Sequence, residues 1–508
     1  MTAVEKQQAR DVSLRRIGAL FKPYARQLTV VVAIIVASSI VAMASPFLLR
    51  AVIDDALPQQ NLTLLVWLVL GMLAVAVATA AFGVVQTWIS TTVGQRVMHA
   101  LRTDVFTHLQ RQSLAFFTRT RTGEVQSRIT NDIGGMDTVV TSTATSVASN
   151  LTTVVATAAA MAALSWQLSL ISLVVMPPAI YLTRKVAGMR REITAQRQRE
   201  LSDLNVTIEE GLSISGIQLS KTMGAGPDLV RRFTDSSARL IDLELRSELA
   251  GRWRMATMSI IFAAVPAVIY LGAGLPATPG GMTLGTLVAF TALQGGLFRP
   301  LMGLLNVGVS LVSSLALFAR IFEYLDLPVE VDDPVDPADV DPRWVRGHVR
   351  IEDVTFAYPG NSTPALSGVT IDVPAGSTLA VVGETGSGKS TLASLVARLY
   401  DPTSGRVTFD GVDLRDLRLS DLAAIVGVVS QETYLLHTTV RENLRYAKPD
   451  ATDSEIESAA RAAQVHDLIA GLPDGYDTMV GSRGHRFSGG EKQRIAIART
   501  LLRDPKVL

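Results

Sequence analysis

The sequence predicts a two-part fold, a multi-pass α-helical membrane domain of six transmembrane helices followed by an α/β domain built around a phosphate-binding loop. Three observations carry this reading. Uncharged stretches of membrane length recur through the first 300 residues, a run of prolines and aspartates breaks the pattern at 327 to 347, and a glycine-rich loop ending in Lys389-Ser390 lies between a strand-like and a helix-like segment. Composition agrees, because a chain of 508 residues with 48% hydrophobic and 18% charged residues is too apolar and too long for one soluble domain. The balance of 47 basic against 46 acidic residues gives no support for a nucleic-acid partner. Cysteine is absent, which excludes disulfides, thiolate metal sites and cysteine nucleophiles.

Taken in order, residues 11 to 24 place Leu14, Ile17, Leu20 and Phe21 at helical spacing among Arg15, Arg16 and Lys22. That pattern suits a helix lying in the membrane interface, with an ordinary surface helix as the alternative. Ala42-Met43-Ala44 resembles a signal-peptide cleavage site, yet the apolar run continues past it to Leu49 and further spans follow, so an uncleaved first helix fits better. Crossing about 30 Å of hydrocarbon takes roughly 20 helical residues. Gln27 to Leu49 holds one span and Asn61 to Gln95 a second, centred on Leu62 to Trp88. Thr138 to Thr183 holds two, broken at Trp166-Gln167, and Met255 to Phe298 two more, divided by Pro276, Pro279, Gly280 and Gly281.

The connecting segments alternate in charge. Residues 1 to 26, 96 to 137 and 184 to 254 are rich in arginine, whereas 50 to 60, 166 to 167 and 275 to 282 carry few or no basic residues. The positive-inside rule places the N-terminus, both long loops and the C-terminal domain in the cytoplasm, with the chain in the cell membrane. The long loops have helix-like composition, so the spans are expected to continue as helices beyond the bilayer. The expected domains are a cytoplasmic N-terminus over 1–26, a six-helix domain over 27–326, a linker over 327–347, and an α/β domain over 348–508. Within the sixth span, Arg299 interrupts an apolar stretch with Gln294 nearby. A mid-membrane arginine costs about 2.5–3.5 kcal/mol, which makes Arg299 and Gln294 candidates for a wet substrate cavity; snorkelling at the end of the span is the alternative.

The strongest local motif is Gly383-Glu384-Thr385-Gly386-Ser387-Gly388-Lys389-Ser390. It follows an expected strand over Thr378 to Val382 and opens an expected helix over Thr391 to Leu399, the order that a phosphate loop requires. Glycines let the backbone wrap phosphates, the amides at the helix start face the negative charge, Lys389 reaches the terminal phosphates and Ser390 ligates magnesium. A second helix-like segment, Lys492 to Leu502, is opened by Phe487-Ser488-Gly489-Gly490-Glu491. Taken alone this is equally the start of an ordinary helix.

Together these motifs resemble the ATP-binding cassette (ABC) exporters built as half-transporters, over nearly the whole chain. Phe356-Ala357-Tyr358-Pro359 looks like the adenine-stacking segment with Tyr358 as the platform, although a tyrosine read alone is more often a packed strand residue. The 383 to 390 loop, with Thr391 beside it, looks like Walker A. Ser430-Gln431-Glu432 resembles the loop whose glutamine meets magnesium and the attacking water, which implies a catalytic role for Gln431. Val480-Gly481-Ser482-Arg483-Gly484 resembles the segment before the signature, and Ser488, Gly489, Gly490 and Glu491 the signature that serves a partner's ATP. Thr122-Gly123-Glu124 with Ser127, Arg128 and Asp132 is similar to the first cytoplasmic loop, and a segment near Val206 to Ser213 to a coupling element.

The resemblance implies ATP and Mg2+ as cofactors, a second half-transporter as homo- or heterodimer partner, and export of a small molecule, lipid or peptide through the bilayer. A lipid flippase with the same motor and an ATP-gated channel or regulator are the alternatives. The chain departs from the family at Phe487, where leucine is usual, at Glu491, where glutamine is usual, and at Ser482, where glutamate is usual. Arg503 to Leu508 looks like the approach to Walker B, so the resemblance puts the catalytic carboxylates beyond Leu508 and implies a partial domain that binds nucleotide without useful turnover.

Overall fold

The computed structural model describes residues 13–120, 122–273, 283–431, 433–481 and 487–508. Two compact units emerge, one formed by the chain up to Asp104 with Arg128–Glu323, the other by Val105–Ser127 with Tyr324–Leu508.

The helices of the membrane part follow in order. They are α1 (Leu14–Phe21), α2 (Ala25–Ala51), α3 (Leu62–Gln110), the short α4 (Leu114–Arg119) and α5 (Thr122–Ser127), α6 (Ile133–Leu164), α7 (Trp166–Leu212), α8 (Ile214–Met223), α9 (Gly226–Ala273) and α10 (Leu284–Leu325). Six of these are long helices, and most extend well past bilayer thickness. Apolar windows long enough to cross a membrane occur in four segments among the described residues, Arg15–Ala56, Leu62–Gln110, Thr143–Leu164 and Leu284–Leu304. Side chains 173–192, which hold most of the expected fourth span, and the divider at Pro276, Pro279, Gly280 and Gly281 lie outside the described residues.

Local chemistry sets the helix ends. The break expected at 166–167 falls at Ser165, whose extended backbone ends α6 while its hydroxyl accepts from the Leu168 amide at 3.4 Å and starts α7. Ser213 likewise caps α8 through the Gly216 amide at 3.0 Å, and α8 stops at Gly224, whose φ of 69° suits glycine. Leu212 and Ile214, on either side of that cap, are exposed.

Inside the first unit α2 packs on α6, and α7 runs along α9. Met161, Leu168, Ile269, Phe290 and Leu293 form a buried cluster where α6, α7, α9 and α10 meet. Polar groups tie the ends of these helices. The Asp54 carboxylate accepts from the Thr283 hydroxyl and, at 2.8 Å, from the Gly285 amide, thereby capping α10. Buried Asp132 pairs with Arg128 at 3.2 Å and Arg320 at 3.1 Å, joining the foot of α6 to that of α10.

The second unit contains an antiparallel sheet of β1 (Val349–Phe356), β2 (Leu366–Val373), β3 (Ser404–Phe409) and β4 (Val412–Asp413) in the order β2-β1-β3-β4. Alternation along β1, shifted by one residue at an irregularity around Asp353 (φ 48°), buries Val349, Ile351, Val354 and Phe356. β1 pairs Val349 with Val373 on one side and with Phe409 on the other. The helices of this unit are α11 (Lys389–Val396) and α12 (Leu419–Ile425), which pack with the sheet, and α13 (Val440–Arg445), α14 (Asp453–Ala462), α15 (His466–Ala470) and α16 (Gly489–Arg503), which pack together. One core contains the sheet with Leu392, Leu395 and Ile425; a separate core contains Val440, Ile456, Tyr476, Val480, Phe487, Ile495 and Leu502.

Two expectations are corrected here. Thr378 to Val382 forms no strand, and Leu379, Val381 and Val382 stand 50%, 45% and 87% exposed, because no described segment supplies ladder hydrogen bonds beside it. The helix after the loop spans Lys389–Val396 rather than Thr391 to Leu399, and ends as Arg398 enters the left-handed region at φ 48°. The acidic linker is also held in place. Glu330 accepts from Ser113 at 2.6 Å and Arg119 at 2.9 Å, Asp332 pairs with Arg111 at 2.6 Å, and Asp333 accepts from the Leu419 amide at 2.7 Å.

Candidate nucleotide-binding site

The Gly383–Ser390 loop enters α11 through two glycines with left-handed backbone, Gly386 at φ 88° and Gly388 at φ 90°. Gly388 is irreplaceable on steric grounds too, since a Cβ there would lie 2.7 Å from a Leu366 methyl and 2.8 Å from the Ala365 carbonyl. The Lys389 ammonium folds back over the loop, donating to the Gly383 carbonyl at 2.9 Å and the Glu384 carbonyl at 2.7 Å. Glu384, Thr385, Gly386, Ser387 and Ser390 are exposed, so the loop presents its backbone and the Ser390 hydroxyl to solvent at a helix N-terminus.

Tyr358 lies just past the end of β1. Its ring meets Phe356 edge-on at 5.0 Å and Tyr400 at 5.5 Å, and its hydroxyl is 2.9 Å from the Thr391 hydroxyl. Thr391 is itself buried in the first turn of α11, so this bond fixes the half-buried ring beside the phosphate loop. Sequence reading had no means of finding this bond, which needs β1 and α11 docked. Gln431 is exposed in the loop after Ser430, and Glu432 lies outside the described residues.

The second motif stands on the other core. Phe487 is buried there, which accounts for a large apolar residue at that position. Ser488 is the N-cap of α16 and closes a capping box: its hydroxyl accepts from the Glu491 amide at 3.4 Å, and the Glu491 carboxylate accepts from the Ser488 amide at 2.7 Å. That bond, with a second from the Ser488 hydroxyl, holds the Glu491 carboxyl below the ordinary glutamate value. Gly489 and Gly490 are exposed beside it. Val480 and Gly481 are buried, whereas Ser482, Arg483 and Gly484 lie outside the described residues.

Among the described residues no group of three histidines or carboxylates gathers to hold a metal. The Ser390 hydroxyl and the Gln431 amide oxygen are hard donors of the kind magnesium prefers, and they fit an ion that brings most of its ligands as phosphate oxygens and water. In α10, Gln294 is buried with no hydrogen-bond partner for its Oε1 among the described residues, while Arg299 is exposed. Five residues apart, they sit about 140° around the helix and do not share one face.

Long apolar helices joined to a phosphate-loop domain that carries a second, glycine-rich helix start define a nucleotide-driven membrane transporter. The chain belongs to the ABC transporters: residues 28–301 match the family described as ABC transporter transmembrane region and residues 366–508 the family described as ABC transporter. It is 31% identical over 505 residues to an ATP-dependent lipid A-core flippase of Syntrophus aciditrophicus, covering 99% of this chain and 83% of that protein. A flippase of the same name from Yersinia pestis is 33% identical over 507 residues, covering 98% and 84%. A bacterial Atm1-family ABC exporter with ATP bound superposes with a TM-score of 0.74 at 29% identity, over 95% of this chain and 84% of that one. A membrane region fused to an ATP-binding domain, with likeness to a flippase and an exporter over 95–99% of this chain and 83–84% of theirs, makes this a half-transporter of the exporter type. Its activity is ATP-dependent export across a membrane.

Proposed function

We propose that Gly383, Glu384, Thr385, Gly386, Ser387, Gly388, Lys389, Ser390 and Thr391 bind ATP, with adenine against Tyr358 and Mg2+ on Ser390 and Gln431, and that Ser488, Gly489, Gly490 and Glu491 serve the ATP of a second half-transporter. One observation carries this reading: the phosphate loop and the capped glycine pair stand on separate cores of one domain. Each is half of an anion site, and two copies arranged head to tail complete both. Gln431 then orients the attacking water, and closure of the pair drives the membrane helices between two access states.

The N-terminus and the ATP-binding domain face the cytoplasm of the cell membrane in this reading. Named relatives that move lipid A support a lipid as cargo, with a small molecule or peptide as the alternative. Arg299, exposed on α10, is the residue we place at the cargo path, and Gln294 the polar group behind it.

Because the chain has no cysteine, the arrangement is testable by introduced thiols. Copies carrying Ser387→Cys are mixed with copies carrying Gly489→Cys and oxidised with and without ATP and magnesium. The expected result is a cross-linked dimer that depends on nucleotide and is lost when Lys389→Ala is added to both. Equal cross-linking without nucleotide, or none under any condition, overturns the shared site.

A further inference from the structure

A groove of about 720 Å3 lies in the first unit between the turn before α2 and one face of α3, lined by Tyr24, Trp88, Thr92, Gln95, Arg96 and His99 among others. From the orientation proposed above and the groove's chemistry, we infer that it binds an anionic phospholipid of the cytoplasmic leaflet, with the phosphate at Arg96 and His99 and the acyl chains leaving past Trp88.

Depth is the first argument. Tyr24 immediately precedes α2, whose apolar run begins at Leu28, so a groove that Tyr24 lines lies at the edge of the hydrocarbon. Trp88, which lines the same groove, is 70% exposed, and amphipathic rings of this kind favour the interface. Farther along α3 on the bilayer side, Val77 and Val84 are 69% and 70% exposed and offer a path for acyl chains.

Charge is the second argument. Arg96 and His99 stand one turn apart on this face, and no carboxylate is among the residues that line the groove. Neither has an acidic partner among the described residues. The opposite face of the same turns buries Val97, Met98 and Leu101, so the helix cannot rotate to hide Arg96 and His99 without exposing core. The Thr91 hydroxyl and the Tyr24 phenol add donors suited to phosphate oxygens, while the Thr92 hydroxyl already donates to the Trp88 carbonyl at 2.7 Å. A free phosphate ion would use Arg96 and His99 but leave Trp88 and the valine path unexplained, which favours the lipid.

The full chain, purified in detergent, is examined by native mass spectrometry with phosphatidylglycerol and phosphatidylcholine. A photo-activated phenylalanine analogue at Thr92 is irradiated in vesicles that contain both lipids. The expected result is selective retention of phosphatidylglycerol, weakened about tenfold in Arg96→Gln/His99→Gln and kept in Arg96→Lys/His99→Lys, with a lipid adduct at position 92. Equal retention of both lipids, or a glutamine variant that binds phosphatidylglycerol like the parent, overturns the inference. So does an adduct to a second copy of the chain in place of lipid, which would make this face a subunit contact. The adduct is read in a chain that keeps Arg96 and His99, so the outcome stands even if the glutamine variant misfolds.

Discussion

Ser488 and Glu491 close their capping box at the place where a partner's triphosphate is proposed to arrive, so one carboxylate both holds the helix start and carries negative charge there. Replacing Ser488 by alanine removes the cap and is expected to lower the domain's stability by about 0.5–2 kcal/mol in denaturant unfolding. Glu491→Gln keeps an acceptor for the Ser488 amide but removes the charge. ATP affinity of the dimer is expected to rise several-fold in a fluorescent-nucleotide titration, and an unchanged affinity would assign Glu491 to folding alone. The pH dependence has a definite sign. Because the folded carboxyl is held below its ordinary value, the box contributes fully above that value and weakens as the pH falls through the depressed one, whereas the glutamine variant lacks this loss. The serine-to-glutamate spacing of this box is legible in the sequence. The Tyr358–Thr391 bond is not, because a hydroxyl pair 33 residues apart leaves no periodic trace.

Between residue and domain, the linker shows what composition conceals. Prolines and aspartates at 327 to 347 suggest a spacer, yet Glu330, Asp332 and Asp333 each hold a specific partner, and buried Arg398 donates to the Asp332 carbonyl at 3.1 Å. The end of α3 and α4 therefore belong to the same compact unit as the ATP-binding domain. These ion pairs are exposed and worth about 0–1 kcal/mol each, so their value is positional rather than a large share of stability. The variant Glu330→Ala/Asp332→Ala is expected to fold with nearly unchanged unfolding temperature while amide exchange rises at 108–119. Unchanged exchange would show that apolar contacts such as Phe116 against Tyr324 suffice. Thr378 to Val382 shows the opposite limit of sequence reading. Its apolar run has strand character, but a strand exists only where a neighbour completes its hydrogen bonds, and no periodicity records that neighbour.

For the whole molecule, six long helices and a following α/β domain were legible because apolar length and turn residues are local signals. The division of α3 between two units was not, since it depends on which distant residues its last turns meet. Orientation in the membrane rests on a different quantity, the arginine content of alternating loops, and the absence of cysteine makes it directly measurable. Gln59 lies exposed in the short turn between α2 and α3, and Ser362 in the exposed loop between β1 and β2. In intact cells, Gln59→Cys is expected to react with a membrane-impermeant maleimide, while Ser362→Cys reacts only after permeabilisation. Each variant serves as the other's control for cell integrity. A reversed pattern would invert the topology and place the phosphate loop away from cytoplasmic ATP. It would also move the Arg96 groove to the outer leaflet, so the same experiment bears on the motor and on the lipid site together.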